Sequence, residues 1–387
     1  MAQPPRTLRV LAGASLAGSG VLAGSAVLAG VLAEHIVRPR RSPRFDERVV
    51  AVSGETVTFA PSEEALRPGR YGLQWAGGHA VVGAPVESGG GGAVRALERV
   101  DLGTLRPGKA RFGHVAIGDP RSAHGLDFEE AEVESDVGVL RCWEVPAAAA
   151  PAPPALGGVW ALVVHGYGGS RASTLDLVPI LHGLGLHVLA VAYRNDPDAP
   201  RSPDRRYHLG ASEWRDLDAA MAYATARGAR ALVLVGWSMG GAIVMQAYAR
   251  SAFSRYVAGI VLDCPVLDWA AVLESQGRHR RVPQPVVALA SRLVEARIGA
   301  RFADLDWTDP RRAATLAVPV LCFHGEEDRV VPAATSRSFA ALAPSGLVEL
   351  EVTPGAGHVG SWYLEPEAYA GRIGDFSERL AVPRHAR

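Results

Sequence analysis

Apolar and polar positions divide the chain into stretches of distinct texture. Over residues 10–33 no side chain is charged, and Ala, Gly, Val and Leu dominate. As a helix rising about 1.5 Å per residue, that stretch is long enough for a bilayer core. Over residues 48–145 short alternating runs are broken by glycine and proline, as in "VVAVSGETVTFA", "RYGLQWAGGHAVVG", "ARFGHVAIGDP" and "VGVLRCWEV". Such runs read as strands, so residues 48–145 predict a small β-rich domain, with the glycines of 89–92 as a flexible tip between two strands. Residues 146–158, rich in Pro and Ala, cannot form a core and predict a semi-rigid linker.

Beyond the linker the runs become almost continuously apolar: "VWALVVHG", "HVLAVAYR", "ALVLVGWS", "VAGIVLDCP", "VPVLCFHG" and "LVELEVTP". Strands covered on both faces, as in a parallel sheet, read this way. Between them lie amphipathic stretches; in residues 211–227, Trp214, Leu217, Met221 and Ala224 recur on one helical face. The alternation predicts an α/β domain over 159–387. Residues 267–315 break the rhythm with Trp269, Leu273, Leu289, Leu293 and Trp307 among arginines and prolines. They predict a helical cap over the carboxyl edge of the sheet, where open α/β sheets bind ligands.

Composition narrows the function classes. Forty basic and forty acidic residues cancel, so nothing points to nucleic acid or another polyanion as a partner. Cys142, Cys264 and Cys322 sit in apolar runs without C-x-x-C spacing, which indicates core residues rather than a metal site or a disulfide framework. Residues 1–47 carry three competing readings, one of them a hairpin buried against the rest of the chain. The uncharged stretch 10–33 reads as a retained single-pass membrane anchor; Arg6 and Arg9 before it and Val31-Leu32-Ala33 at its end also fit a cleaved secretory signal. Arg38, Arg40, Arg41 and Arg44 place more positive charge after the stretch than before it, which favours a cytoplasmic hydrolase side for the anchored form.

The chemistry starts at "VLVGWSMGGAIVM", residues 233–245, where an apolar strand meets an apolar helix across Gly236, Ser238 and Gly240. In a G-x-S-x-G elbow the serine hydroxyl stands clear of the sheet and the following amide points to where an oxyanion would form. A serine nucleophile needs a base, and His358 in "GAGHVGSW" follows the last strand. It also needs an orienting acid, and Asp328 in "HGEEDRVVP" follows the strand before that. The oxyanion hole would combine the amides of Met239 and of Tyr167 in "HGYGGS". Glu326, Glu327, Asp263 and Asp268 remain rivals for the acid.

With four motifs in this order at strand ends, residues 155–380 resemble an α/β-hydrolase of the serine hydrolase class, the group of esterases, lipases, thioesterases and serine aminopeptidase-like enzymes. "YRNDPDAP" and "YHLGASEWRDLDAA", together with "GWSMGG", resemble a bacterial subgroup that carries an N-terminal β-rich extension. The resemblance implies an α/β-hydrolase fold with Ser238 as nucleophile, Asp328 as acid and His358 as base. It implies hydrolysis of an ester, thioester or related acyl bond in a small-molecule substrate through an acyl-enzyme, with no cofactor and no metal. A peptidase and a non-catalytic binding module are the alternatives.

Other residues receive structural readings. "GAGHVG", residues 355–360, has the spacing of a dinucleotide fingerprint, but Pro366 interrupts the helix it would need and no further strand completes a βαβ unit. His165 and His324, each before a glycine at a strand end, read as polar residues shaping a turn. His182, His187, His208 and His279 read as structural or solvated. Arg194, Asn195 and Asp196 either pin their loop or touch substrate, and Asp204 or Ser212 is a candidate helix cap.

Overall fold

The structure, a computed structural model, describes residues 24–39, 44–89, 92–148 and 156–380. It opens with a helix over 24–37, here α1. Six strands and a helical turn follow: β1 Glu47–Ser53, β2 Thr56–Phe59, α2 Glu63–Leu66, β3 Tyr71–Trp75, β4 Gly78–Gly89, β5 Gly92–Leu102 and β6 Gly108–Gly113. They close into an antiparallel barrel in the order β1-β2-β5-β4-β3-β6, because β1 also pairs with β6. Its core is small, with Val49, Val57, Phe59, Leu73, Ala80 and Val82 inside.

After α3 (Pro120–His124), an antiparallel hairpin of β7 (Glu129–Ser135) and β8 (Gly138–Val145) leaves the barrel and joins the edge of a second sheet. The structure therefore divides the chain differently from the expected 48–145: the barrel ends at Gly113, and β8 pairs antiparallel with a strand of the following domain. Alternation reads alike in a barrel wall and in a half-covered sheet edge, which is why the sequence pattern ran the two together.

The larger domain adds β9 Val159–Val164, α4 Val178–Gly183, β10 His187–Val191, α5 Trp214–Ala226, β11 Ala231–Trp237, α6 Met239–Arg250 and β12 Val257–Asp263. Then come α7 Trp269–His279, α8 Gln284–Ile298, α9 Pro310–Ala313, β13 Val320–Gly325, α10 Ala333–Leu342, β14 Val348–Thr353, α11 Ser361–Leu364 and α12 Pro366–Glu378. The sheet order is β14-β13-β12-β11-β9-β10-β8-β7, parallel from β14 to β10. Along β9, Trp160, Leu162 and Val164 pack into one core while Val159, Ala161 and Val163 pack into the other. Burial on both faces is what the unbroken apolar runs predicted. The expected cap appears as α7 and α8 between β12 and β13.

The membrane reading of residues 10–33 meets the structure only in part. Residues 10–23 lie outside the described residues, and among the described residues no helix is long and apolar enough to cross a membrane. The described part of the segment, α1, packs against the hydrolase domain. Ala29 is buried beside Val286 and Ala290 of α8, and Ala33 and Val37 are buried in the main core.

The barrel is held to the domain by the segment 62–70. Arg95, fully buried, donates to the carbonyls of Gly83, Ala65, Arg67 and Gly69 at 2.6–3.1 Å and so fixes that segment from behind. Burial pushes its pKa down to about 10, which still leaves it charged at neutral pH. From the fixed segment, Arg70 N–H donates to the Tyr363 carbonyl at 2.9 Å, and Glu63 pairs with Arg329, next to Asp328. Replacing Arg95 by Met strands several buried carbonyls, each costing about 1–3 kcal/mol. Arg95→Met is expected to lower the stability of the full chain by about 3 kcal/mol or more, read as an earlier urea midpoint; an unshifted midpoint would refute this role.

Candidate active site

The elbow is built from close approaches that only glycine allows. A Cβ on Gly236 would lie 2.6 Å from the Gly240 carbonyl oxygen, and one on Gly240 would run into the carbonyls of Val164 and His165. The chain can therefore turn directly from β11 into α6, leaving Ser238 at φ 53° and ψ −123°, a left-handed conformation strained for any residue with a Cβ. Hydrogen bonds hold it there. The Ser238 amide donates to the Asp263 carbonyl at 3.0 Å, and the Ser238 carbonyl accepts from the amides of Val266 and Gly241 at 3.0 and 3.1 Å.

The structure brings Ser238, His358 and Asp328 together. His358 Nδ1 lies 2.7 Å from Asp328 Oδ2, and His358 Nε2 lies 2.9 Å from Ser238 Oγ. Burial pushes the Asp328 carboxyl up, but the His358 imidazole and hydrogen bonds from His324, His358 and the Val331 amide outweigh it and hold the group well below the usual carboxylate range. An ionised Asp328 can only accept, so Nδ1 of His358 carries the proton and Nε2 is free to accept from the serine hydroxyl. This is the tautomer that a general base for Ser238 requires.

The rival acids sit elsewhere. Glu326 and Glu327 are exposed on the loop. Asp268 caps α7 by accepting from the Ala271 amide at 3.1 Å. Asp263 is buried beneath the elbow, where it accepts from Tyr369 Oη at 3.1 Å, and burial pushes its pKa up to about 6. The 355–360 loop, with its fingerprint-like spacing, carries His358 between β14 and α11.

Tyr167 and Met239 flank the serine. Met239 is the first residue of α6, and a Cβ on Gly166, next to Tyr167, would lie 3.1 Å from the Ser238 Cβ. Sequence reasoning missed what supports this loop. His165 is fully buried; its Nδ1 donates to the Gly166 carbonyl at 2.9 Å and its Nε2 lies 2.8 Å from Asp196 Oδ2. Asp196 thus braces the loop beside the serine, while Arg194 is spent on Asp216 and Asp136, and Asn195 on Ser202 and the Arg206 carbonyl. His324 does the same for the acid loop: fully buried, with Nδ1 2.8 Å from Ser336 Oγ and Nε2 3.1 Å from the Val331 carbonyl and 3.4 Å from Asp328 Oδ2. The signal for both was a histidine in an otherwise apolar strand end, a costly residue to bury without a partner.

Cys264, Asp328 and His358 place atoms of metal-ligand type within 4.8 Å of one another. Burial pushes the Cys264 thiol well up, and its sulfur accepts from the amides of Val359 and Gly325 at 3.2 and 3.5 Å. Cys264 thus holds the His358 loop, while His358 and Asp328 are engaged with each other.

Above the serine lies a cavity of about 390 Å³, with Ser238 and His358 in its wall. Trp269, Val272 and Leu273 of α7, Val287 of α8 and Leu32 and Ile36 of α1 make it predominantly apolar. That size and lining suit a small ligand with an apolar body.

Residues 161–372 match the alpha/beta hydrolase family, and the chain belongs to it. Residues 48–113 match a second family, described as a domain of unknown function; these are the barrel. An uncharacterised protein of Mycobacterium tuberculosis is 29% identical over 252 residues, covering 62% of this chain and 74% of its own. A monoacylglycerol lipase of Mycolicibacterium smegmatis is 29% identical over 242 residues, 53% of this chain and 82% of the lipase. Among solved structures, an esterase of Pyrococcus furiosus superposes with a TM-score of 0.53 at 18% identity, covering 69% of this chain and 96% of the esterase. This similarity shows the fold.

Asp328→Asn is expected to lower turnover by about ten-thousand-fold through the wrong His358 tautomer, and Asp263→Asn to cost far less. The reverse order would reassign the acid. Asp263 also yields a stability test. Its native pKa, about 6, lies above the unfolded value near 4, so the folded state holds the proton longer. The stability from this site is then fully present below about pH 4, declines as pH rises to about 6, and is flat above. The stability of the unaltered protein minus that of Asp263→Asn should follow that decline in denaturation at a series of pH values; a value that rises with pH would contradict it.

Proposed function

We propose that the protein is a serine hydrolase that cleaves an ester, thioester or related acyl bond through an acyl-enzyme. The observation that carries this reading is the continuous hydrogen-bond chain from Asp328 through His358 to Ser238, ending at an apolar cavity. Ser238 Oγ attacks the acyl carbon while its proton passes to His358 Nε2, contributing about 10²- to 10⁴-fold in rate. The tetrahedral oxyanion accepts hydrogen bonds from the Met239 and Tyr167 amides, each worth roughly 10² to 10³ in rate. Collapse breaks the bond to the alcohol or thiol, which leaves with the proton from His358. Water, deprotonated by the same imidazole, then attacks the acyl-serine; the acid is released and the proton returns to Ser238.

The reading includes a retained membrane tether through residues 10–33. That α1 is built into the domain supports retention of the segment over its cleavage. Glu34 pairs with Arg206 at 3.0 Å and Arg297 at 3.4 Å, and cleavage after Ala33 would sever a packed helix. The arginines after the segment favour a cytoplasmic catalytic side.

Ser238→Ala is expected to fold normally and lose all labelling by a fluorophosphonate probe; undiminished labelling would overturn the mechanism. In a bacterial host the chain is expected to resist carbonate extraction and to keep the mass of the residues before Glu34. A soluble product beginning at Glu34 would remove the tether.

A further inference from the structure

The helix α1 presents two apolar faces. The inner one, with Ala29, Ala33 and Val37 buried, also sends Leu32 and Ile36 into the wall of the cavity above Ser238. The outer one exposes Val27 at 68%, Leu28 at 43% and Val31 at 61%, a ridge without a charged side chain. An isolated exposed apolar residue is ordinary, but three on one helical face mark a contact surface. The sequence says what covers it: the uncharged stretch begins at Val10, so the ridge continues an apolar segment rather than interrupting a polar surface. Arginines 38, 40, 41 and 44 follow in the sequence, a basic cluster of the kind that favours anionic lipid.

The domain grips this helix at its carboxyl end. The last carbonyls of a helix lack intrahelical partners. Here the Arg38 carbonyl accepts from Tyr167 Oη at 2.6 Å, and the Val37 carbonyl accepts from the Tyr207 amide at 2.7 Å. The same Tyr167 lies in the loop beside Ser238, so one residue joins the helix to the chemical centre.

From this we infer that α1 is the lipid-facing wall of the acyl pocket: its outer ridge lies against a bilayer, and its inner face receives the acyl chain of a membrane-resident ester. The inference rests on the serine hydrolase reading and names its substrate class. A polar head would remain at the lipid surface while the chain passes along Leu32 and Ile36 toward Ser238, so the substrate need not cross bulk water.

Two measurements on the full chain test it. In Leu32→Trp and Ile36→Trp the indole fills the wall, and kcat/KM for p-nitrophenyl dodecanoate is expected to fall roughly tenfold or more relative to the butanoate, chiefly through KM. Equal changes for both esters would overturn the inner-face role. For the outer face, Val31→Cys can be labelled selectively, because Cys142, Cys264 and Cys322 are buried. A nitrobenzoxadiazole probe there is expected to shift to the blue, and to be quenched by nitroxide lipids, in vesicles of phosphatidylcholine with a minority of phosphatidylglycerol. The same probe at Glu378→Cys, exposed on α12 against the opposite face of the sheet, is expected to remain aqueous. A Val31 probe that stays aqueous, whether or not the protein binds the vesicles, would overturn the bilayer contact. If the unaltered chain neither hydrolyses esters nor takes a fluorophosphonate, the underlying enzymatic reading fails instead.

Discussion

The left-handed backbone at Ser238 is the constraint on which the arrangement around it depends. Holding a non-glycine residue in such a conformation costs on the order of 1–3 kcal/mol, and it persists only where the surroundings over-determine it. Here they do: β11 and α6 are both buried in the main cores, Gly240 admits the carbonyls of Val164 and His165, Gly236 admits that of Gly240, and amides from Val266 and Gly241 grip the serine carbonyl. The strain puts the hydroxyl 2.9 Å from an imidazole and leaves the first amides of α6 at the helix N-terminus, where partial positive charge favours a developing oxyanion.

Two buried histidines extend that rigidity outward. His165 and His324 stand at the ends of β9 and β13, one bracing the loop beside the serine and the other the carboxylate of Asp328. Neither needs to reach a substrate to matter, because a catalytic group displaced by about an ångström loses much of its effect. The barrel contributes from the other side. Arg95 stiffens residues 62–70, and these contact both the Asp328 loop, through Glu63 and Arg329, and the stretch after His358, through Arg70 and Tyr363. The barrel is thus tied to the segments that carry two of the three polar groups at the site.

Much of this was legible in the sequence, for identifiable reasons. Continuous apolar runs announce strands buried on both faces, and the residues at their ends, Ser238, Asp328 and His358, have the types and order that one chemistry requires; the structure sets them within hydrogen-bond reach. The cap was readable as an interval too long for a plain connection. What escaped was whatever depends on partners distant in sequence. The β7–β8 hairpin alternates like a barrel strand yet pairs with β10, and no local pattern separates the two cases. Arg95 reads as a surface cation until four carbonyls converge on it. Residues 24–33 read as part of an anchor, and only tertiary packing places Leu32, with Ile36 of the same helix, in one cavity with Ser238.

The most direct test of a covalent mechanism at Ser238 is to trap the intermediate. The full chain is mixed with a p-nitrophenyl ester, quenched in acid before turnover is complete, and digested with trypsin. Arg230 and Arg250 bound the peptide that holds Ser238. The expected result is a burst of nitrophenol and a mass increase of one acyl group on that serine. An acyl group carried by any other residue, or ester hydrolysis with no acyl group on Ser238 at any quench time, would contradict it.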